Sequence, residues 1–281
     1  MKIIRSVSGM SRTARQLSPP IVVVPTMGAL HAGHAALLVT GRKQAGPSGT
    51  LVTTIFVNPT QFAPGEDYAR YPRSFGDDRR LCAAHDVDIL FHPEAGDIYP
   101  PGFSTTVHER AVSGRLCGIS RPGHFDGVCT VVLKLFEITA ADIAVFGLKD
   151  FQQCSVIRRM VRDLNLPVRL RFVPTVRERD GLALSSRNRY LSPDERAQAP
   201  VLRRALKAAM AAYADGERNA AALRRILHDT IGQAPLARID YAEVVDADSL
   251  QPAQRAGANT LLAAAVFFGR TRLIDNQWLR R

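Results

Sequence analysis

The chain has 281 residues, of which 46% are hydrophobic and 22% charged, enough for one large core or two unequal domains, and two are expected. Its net charge of +11 is carried by scattered arginines, several at helical spacing such as Arg158, Arg159 and Arg162. That pattern favours a basic surface attracting small anions over an RNA footprint. No apolar run approaches the roughly 18 residues that cross a bilayer, the start Met1–Arg5 has no signal-peptide segment, and Cys82, Cys117, Cys129 and Cys154 lie far apart without a Cys-x-x-Cys pair. The expectation is a cytoplasmic protein with reduced, mostly buried thiols.

Ile21-Val22-Val23-Val24 reads as a short buried strand, and Ala35-Ala36-Leu37-Leu38-Val39 starts a helix. Between them stands Pro25-Thr26-Met27-Gly28-Ala29-Leu30-His31-Ala32-Gly33-His34. This is a strand-to-helix turn in which two glycines let backbone approach a ligand and the helix start offers unpaired N–H groups to an anion. His31 and His34, three apart, share one face beside such an anion. Zinc would need a further histidine or cysteine at ligand spacing, and none falls nearby.

The His-x-Gly-His resembles the signature of nucleotidyltransferases that move an adenylyl group from ATP. The ten-residue version resembles the pantoate–β-alanine ligase family closely. The resemblance implies a Rossmann-like, doubly wound parallel α/β sheet with a smaller α+β C-terminal lid domain, residues 1–175 binding nucleotide and pantoate and residues 176–281 forming the lid. It further implies ATP as substrate, Mg²⁺, no nucleic acid or membrane partner, and a homodimer.

Leu51–Val57 reads as a second strand, closed by Asn58-Pro59-Thr60-Gln61-Phe62. Polar Asn58 and Gln61 then lie past the carboxyl end of a parallel strand, where open α/β sheets bind ligands. By resemblance, Gln61 contacts pantoate and β-alanine. A helix is expected near 79–85, preceded by Asp77 and Asp78, ordinary partners of a helix dipole; the resemblance makes Asp78 the magnesium ligand. Val87–Phe91 is a third strand, and a helix is expected over 128–138, after Arg121-Pro122-Gly123-His124, where Arg121 lies near the pantoate pocket by resemblance.

Asp142–Phe146 is a fourth strand, and Gly147-Leu148-Lys149-Asp150 turns it into a helix over 151–164. Gly147 permits the turn, Lys149 reaches a phosphate, Asp150 accepts from a ribose hydroxyl, and Gln153 lies one helical turn beyond Lys149. The resemblance makes Gln153 the second pantoate contact; Leu148 replaces the family's usual glutamate.

Val168–Val173 is a fifth strand leading to Val176, and Leu184-Ser185-Ser186-Arg187-Asn188 then offers two hydroxyls and a guanidinium in a flexible loop suited to a triphosphate. Ser192-Pro193-Asp194-Glu195 opens an Ala- and Arg-rich helix running to Ala214, a second helix spans 219–231, and 239–245 and 260–268 are paired strands of a small separate sheet. Thr271–Asn276 again resembles the family. The ATP contacts implied are Met27 through His34, Gly147 through Asp150, Val176 and Leu184 through Arg187. His31, His34, Lys149, Ser185, Ser186 and Arg187 are the catalytic donors, and bound triphosphate is expected to favour a protonated His34. A phosphate-accepting adenylyltransferase would need a basic acceptor pocket where this chain has Gln61 and Gln153.

Overall fold

Continuous β-branched runs flanked by amphipathic helices are the pattern of parallel strands covered on both faces, and the computed structural model, which describes residues 1–279, has that architecture. The chain divides into two compact units. The first comprises residues 1–110, 121–148 and 153–174, and the second 111–120, 149–152 and 175–281.

In the first unit β1 (Lys2–Ile4), β2 (Ile21–Thr26), β3 (Thr50–Ile55), β4 (Ile89–Phe91), β5 (Ile143–Gly147) and β6 (Arg169–Val173) form one sheet in the order β1-β4-β3-β2-β5-β6. Every pairing is parallel. Val22, Val23 and Val24 are wholly buried, as a central strand covered on both faces requires. The chain moves outward from β2 through β3 to β4, then returns to place β5 on the other side of β2. This reversal is the switch point at which doubly wound sheets bind ligands beyond their strand ends. Around the sheet lie α1 (Val7–Ala14), α2 (Ala32–Ala45), α3 (Phe75–Ala84), α4 (His124–Thr139) and the part of α5 (Phe151–Asp163) from Gln153 onward.

The second unit contains α6 (Pro193–Gln198), α7 (Val201–Ala214), α8 (Ala220–Gly232) and an antiparallel sheet, β7 (Ala237–Asp246), β8 (Thr260–Phe268) and β9 (Thr271–Leu279), in that order. Leu202, Leu206, Leu223, Leu227, Val266 and Phe268 form its core. The single helix expected from 193 to 214 is two: the first ends at Gln198 and the second begins after Pro200. Proline has no N–H for the ladder, and its ring crowds the carbonyl four residues earlier.

β1, α1 and β9 were not anticipated. β1 has three residues and one buried side chain; α1 buries only Met10 and Ala14. In β9 polar residues interrupt the alternation, and each has a partner in this unit: Arg177 forks onto Asp275 at 2.6 and 2.9 Å, and Arg203 donates to Gln277 at 2.9 Å. The Asp275 side chain is only 2% exposed. Asp275→Asn, which leaves Arg177 without its counter-charge, is expected to cost about 3–5 kcal/mol, read as a lowered urea midpoint.

All four cysteines are free and buried. Burial pushes the Cys82 and Cys129 thiols up to about 12, so neither is a thiolate near neutrality. No helix among the described residues is long and apolar enough to cross a membrane.

Candidate active site

β2 ends at Thr26, whose hydroxyl donates to the Thr54 carbonyl at 2.6 Å and accepts from the Gly28 N–H at 3.3 Å. The chain then turns through Gly28 at φ +82° and Ala29 at φ +50°. Glycine adopts this backbone freely; for alanine it costs roughly 1–2 kcal/mol. The turn is held from outside. Asp78 of α3, only 1% exposed, accepts from the Ala29 N–H at 3.0 Å and the Leu30 N–H at 2.8 Å, and Ser74 donates to it at 3.2 Å.

At the start of α2 the two histidines cap the helix reciprocally. The His31 Nδ1 accepts from the Gly33 N–H at 3.1 Å and the His34 Nδ1 from the His31 N–H at 3.2 Å, with ring centroids 4.2 Å apart. Both Nδ1 atoms are therefore acceptors, which leaves Nε2 of each neutral ring to carry the proton. Two N–H donors thus stand at a helix N-terminus, where the backbone dipole already favours an anion.

Gln61 is brought to this turn. Its Nε2 lies 2.9 Å from the Met27 sulfur, and its Oε1 accepts from Asn58 at 3.2 Å. Asn58 is almost wholly buried; it also donates to the Gly127 carbonyl at 3.0 Å and accepts from Tyr99 at 2.8 Å and Thr60 at 2.9 Å. That set of partners fixes the orientation of both amides, so Gln61 turns its nitrogen toward the motif. The structural role of Asn58 was not anticipated. Its signal was the Asn-Pro pair, a side-chain cap on the 3-10 turn Pro59–Gln61.

Gly147 and Leu148 end β5 in the first unit, and Gln153 lies in α5, half-buried. The neighbouring Gln152, in the second unit, is the buried one; it accepts from the Cys117 N–H and donates to the Val112 and Arg115 carbonyls.

Lys149 and Asp150 also belong to the second unit, where Asn276 donates to the Lys149 carbonyl at 2.9 Å and the Lys149 amine lies 3.7 Å from the Asp150 carboxylate. Val176 and Leu184 pair through a backbone bond in a small hairpin. The stretch expected as a loop contains a 3-10 turn, Ser186–Tyr190, capped by Ser185 accepting from the Arg187 N–H at 3.2 Å. Asn188 ties it to Glu178 at 2.9 Å and to the Ala183 carbonyl at 3.1 Å, bonds that sequence spacing does not display.

Among the described residues no group of three His, Cys, Asp or Glu could hold a metal ion. Asp78, expected as the magnesium ligand, has both carboxylate oxygens engaged by Ala29, Leu30 and Ser74.

The sequence pattern of the family described as pantoate-beta-alanine ligase matches residues 2–278. The chain belongs to that family. Its relatives named pantothenate synthetase include those of Syntrophotalea carbinolica, 52% identical over 95% of this chain and 93% of that protein, and Geobacter sulfurreducens, 51% identical over 98% of each. Among solved structures, the pantothenate synthetase of Thermus thermophilus superposes with a TM-score of 0.95 at 43% identity over 100% of both chains. The pantoate-beta-alanine ligase of Francisella tularensis, described as complexed with beta-gamma ATP and beta-alanine, gives 0.81 at 32% identity over 99% of this chain and 98% of that one. In this member of the pantoate-beta-alanine ligases, the turn after β2 and the Asn58–Gln61 segment meet through the Gln61–Met27 contact.

Proposed function

We propose that this chain condenses (R)-pantoate with β-alanine at the expense of ATP, forming pantothenate, AMP and pyrophosphate through a pantoyl adenylate. The observation that carries this reading is the His31–His34 pair, which caps α2 reciprocally through Nδ1 at the end of β2, in a chain that matches the ligase family from residue 2 to 278. The pantoate carboxylate attacks the α-phosphorus and pyrophosphate leaves; the β-alanine amine then attacks the acyl carbon and AMP leaves. Charge grows on phosphoryl oxygens in the first step, and fixed donors stabilise it. In this reading those donors are His34, His31, Lys149, Ser185, Ser186 and Arg187, with the backbone of Met27–His34, Gly147–Asp150, Val176 and Leu184 around the nucleotide. Asp78 acts by holding the turn, and magnesium enters with the phosphates of ATP. Gln61 and Gln153 bind pantoate as neutral partners, so its carboxylate keeps its charge for attack, and Gln61 also meets β-alanine. The enzyme works as a homodimer in the cytoplasm.

The test is ATP and pantoate incubated with and without β-alanine while pyrophosphate and AMP are followed. Pyrophosphate alone in a single turnover without the amine, and AMP only with it, are expected; AMP release without pantoate would count against the reaction.

Gln61→Ala and Gln153→Ala are each expected to raise the pantoate KM by roughly 10-fold or more, the effect of about 1.5–3 kcal/mol for a hydrogen bond to a charged group. The ATP KM should stay nearly constant. A parallel loss for ATP in both variants would remove the pantoate assignment.

A further inference from the structure

The carbonyl of Gln61, as well as its side chain, is held by the start of α4. Arg121 donates to it through Nη2 at 3.1 Å, and His124 through Nδ1 at 2.7 Å. With His124 Nδ1 as donor, its Nε2 accepts from Arg121 Nη1 at 3.0 Å. The guanidinium is itself fixed by Glu66, which receives Nε and Nη2 in a fork at 2.6 Å each, and both side chains are largely buried. Burial raises the Glu66 carboxyl, but the bonds and charge of Arg121 outweigh it and hold the group below its ordinary value. Glu66 is thus a charged anchor for the arginine rather than a proton donor.

The same helix reaches Gln61 by a second route, because Asn58 spans the Gly127 carbonyl and the Gln61 Oε1. The approach is close. A Cβ on Gly127 would sit on the Thr60 carbonyl oxygen and 2.7 Å from the Gln61 nitrogen, both backbone atoms.

We propose that Arg121, His124 and Glu66 are positioning residues that fix Gln61 for its hydroxy-acid substrate, and that Gly127 is required because any larger residue would push the Asn58–Gln61 turn off that position. This rests on the reading of Gln61 as a pantoate contact. The clamp acts on the Gln61 carbonyl, so its loss is expected to weaken the substrate that Gln61 meets more than ATP. Arg121→Lys removes the fork, since one ammonium cannot serve Glu66, His124 and the Gln61 carbonyl together in that planar geometry. Gly127→Ala displaces the same turn without deleting a polar group.

The experiment measures KM for pantoate and for ATP, with kcat, in folded wild type, Arg121→Lys, Glu66→Gln, Gly127→Ala and Gln61→Ala. Arg121→Lys and Gly127→Ala are expected to raise the pantoate KM roughly 10-fold and the ATP KM less than about 2-fold, with Glu66→Gln intermediate because it retains one acceptor. A purely structural role would lower thermal stability without separating the two substrates, and that result overturns the clamp. An unchanged pantoate KM in Arg121→Lys beside a raised one in Gln61→Ala overturns the clamp while the Gln61 reading stands. An unchanged pantoate KM in Gln61→Ala removes that reading and the clamp with it. If Gly127→Ala does not fold, Arg121→Lys decides.

Discussion

His34→Ala protein is expected to form pantoyl adenylate about 10²–10³-fold more slowly than wild type in a single turnover at saturating ATP and pantoate, with a much smaller change in ATP binding. The side chain stands at the helix start, its Nδ1 accepting from the His31 N–H at 3.2 Å. A second proton on Nδ1 would set two donors against each other and break that bond. A ring protonated in the ATP complex, as the triphosphate charge is expected to favour, would therefore exchange this cap for a bond to phosphate. A donor of this kind contributes most as charge moves toward pyrophosphate, so its loss is felt in the transition state more than in binding. The variant also loses half of a reciprocal cap, so a stability loss of about 1 kcal/mol accompanies the kinetic effect. Adenylate formed at the wild-type rate by folded His34→Ala protein would take the residue out of the chemistry.

Asp78→Asn separates two roles that sequence alone leaves joined. Asparagine keeps the shape but turns an NH₂ toward a backbone N–H, so one of the two buried amides at Ala29 and Leu30 loses its acceptor. The cost is expected at about 2–4 kcal/mol of stability, because a charge-assisted bond is lost and a buried donor is left unmet. Turnover should fall about 10²-fold, the size that goes with a misplacement of roughly 1 Å at a reacting centre, because Gly28 and Ala29 at positive φ relax once the clamp is gone. The dependence on magnesium concentration should be unchanged. Activity restored by raising magnesium, with a wild-type thermal midpoint, would instead make Asp78 a metal ligand.

The sequence by itself determined what depends on local order along the chain. Val22–Val24 could only be a buried strand, the glycines after it mark a strand-to-helix turn, and the ten residues from Pro25 to His34 carry the resemblance to the ligase family that the whole chain bears out. Ser192-Pro193-Asp194-Glu195 announced its helix start, and its capping box is present. These signals are read within one turn or strand, where backbone geometry and side-chain type act on near neighbours.

Only the tertiary structure decided which polar residues hold the turn after β2 and the Asn58–Gln61 segment in place. Asp78 lies in the first turn of a helix, an ordinary place for an acid, yet the amides it serves are 48 and 49 positions earlier in the chain. Arg121 and Glu66 meet across 55 positions, and Asn58 and Gly127 across 69. A buried carboxylate or amide must find its partners wherever the packed elements bring them, and no spacing rule encodes a bond between separate elements. For the same reason β9 was not marked as a strand: nothing near Asp275 and Gln277 in the chain shows that Arg177 and Arg203 supply their partners.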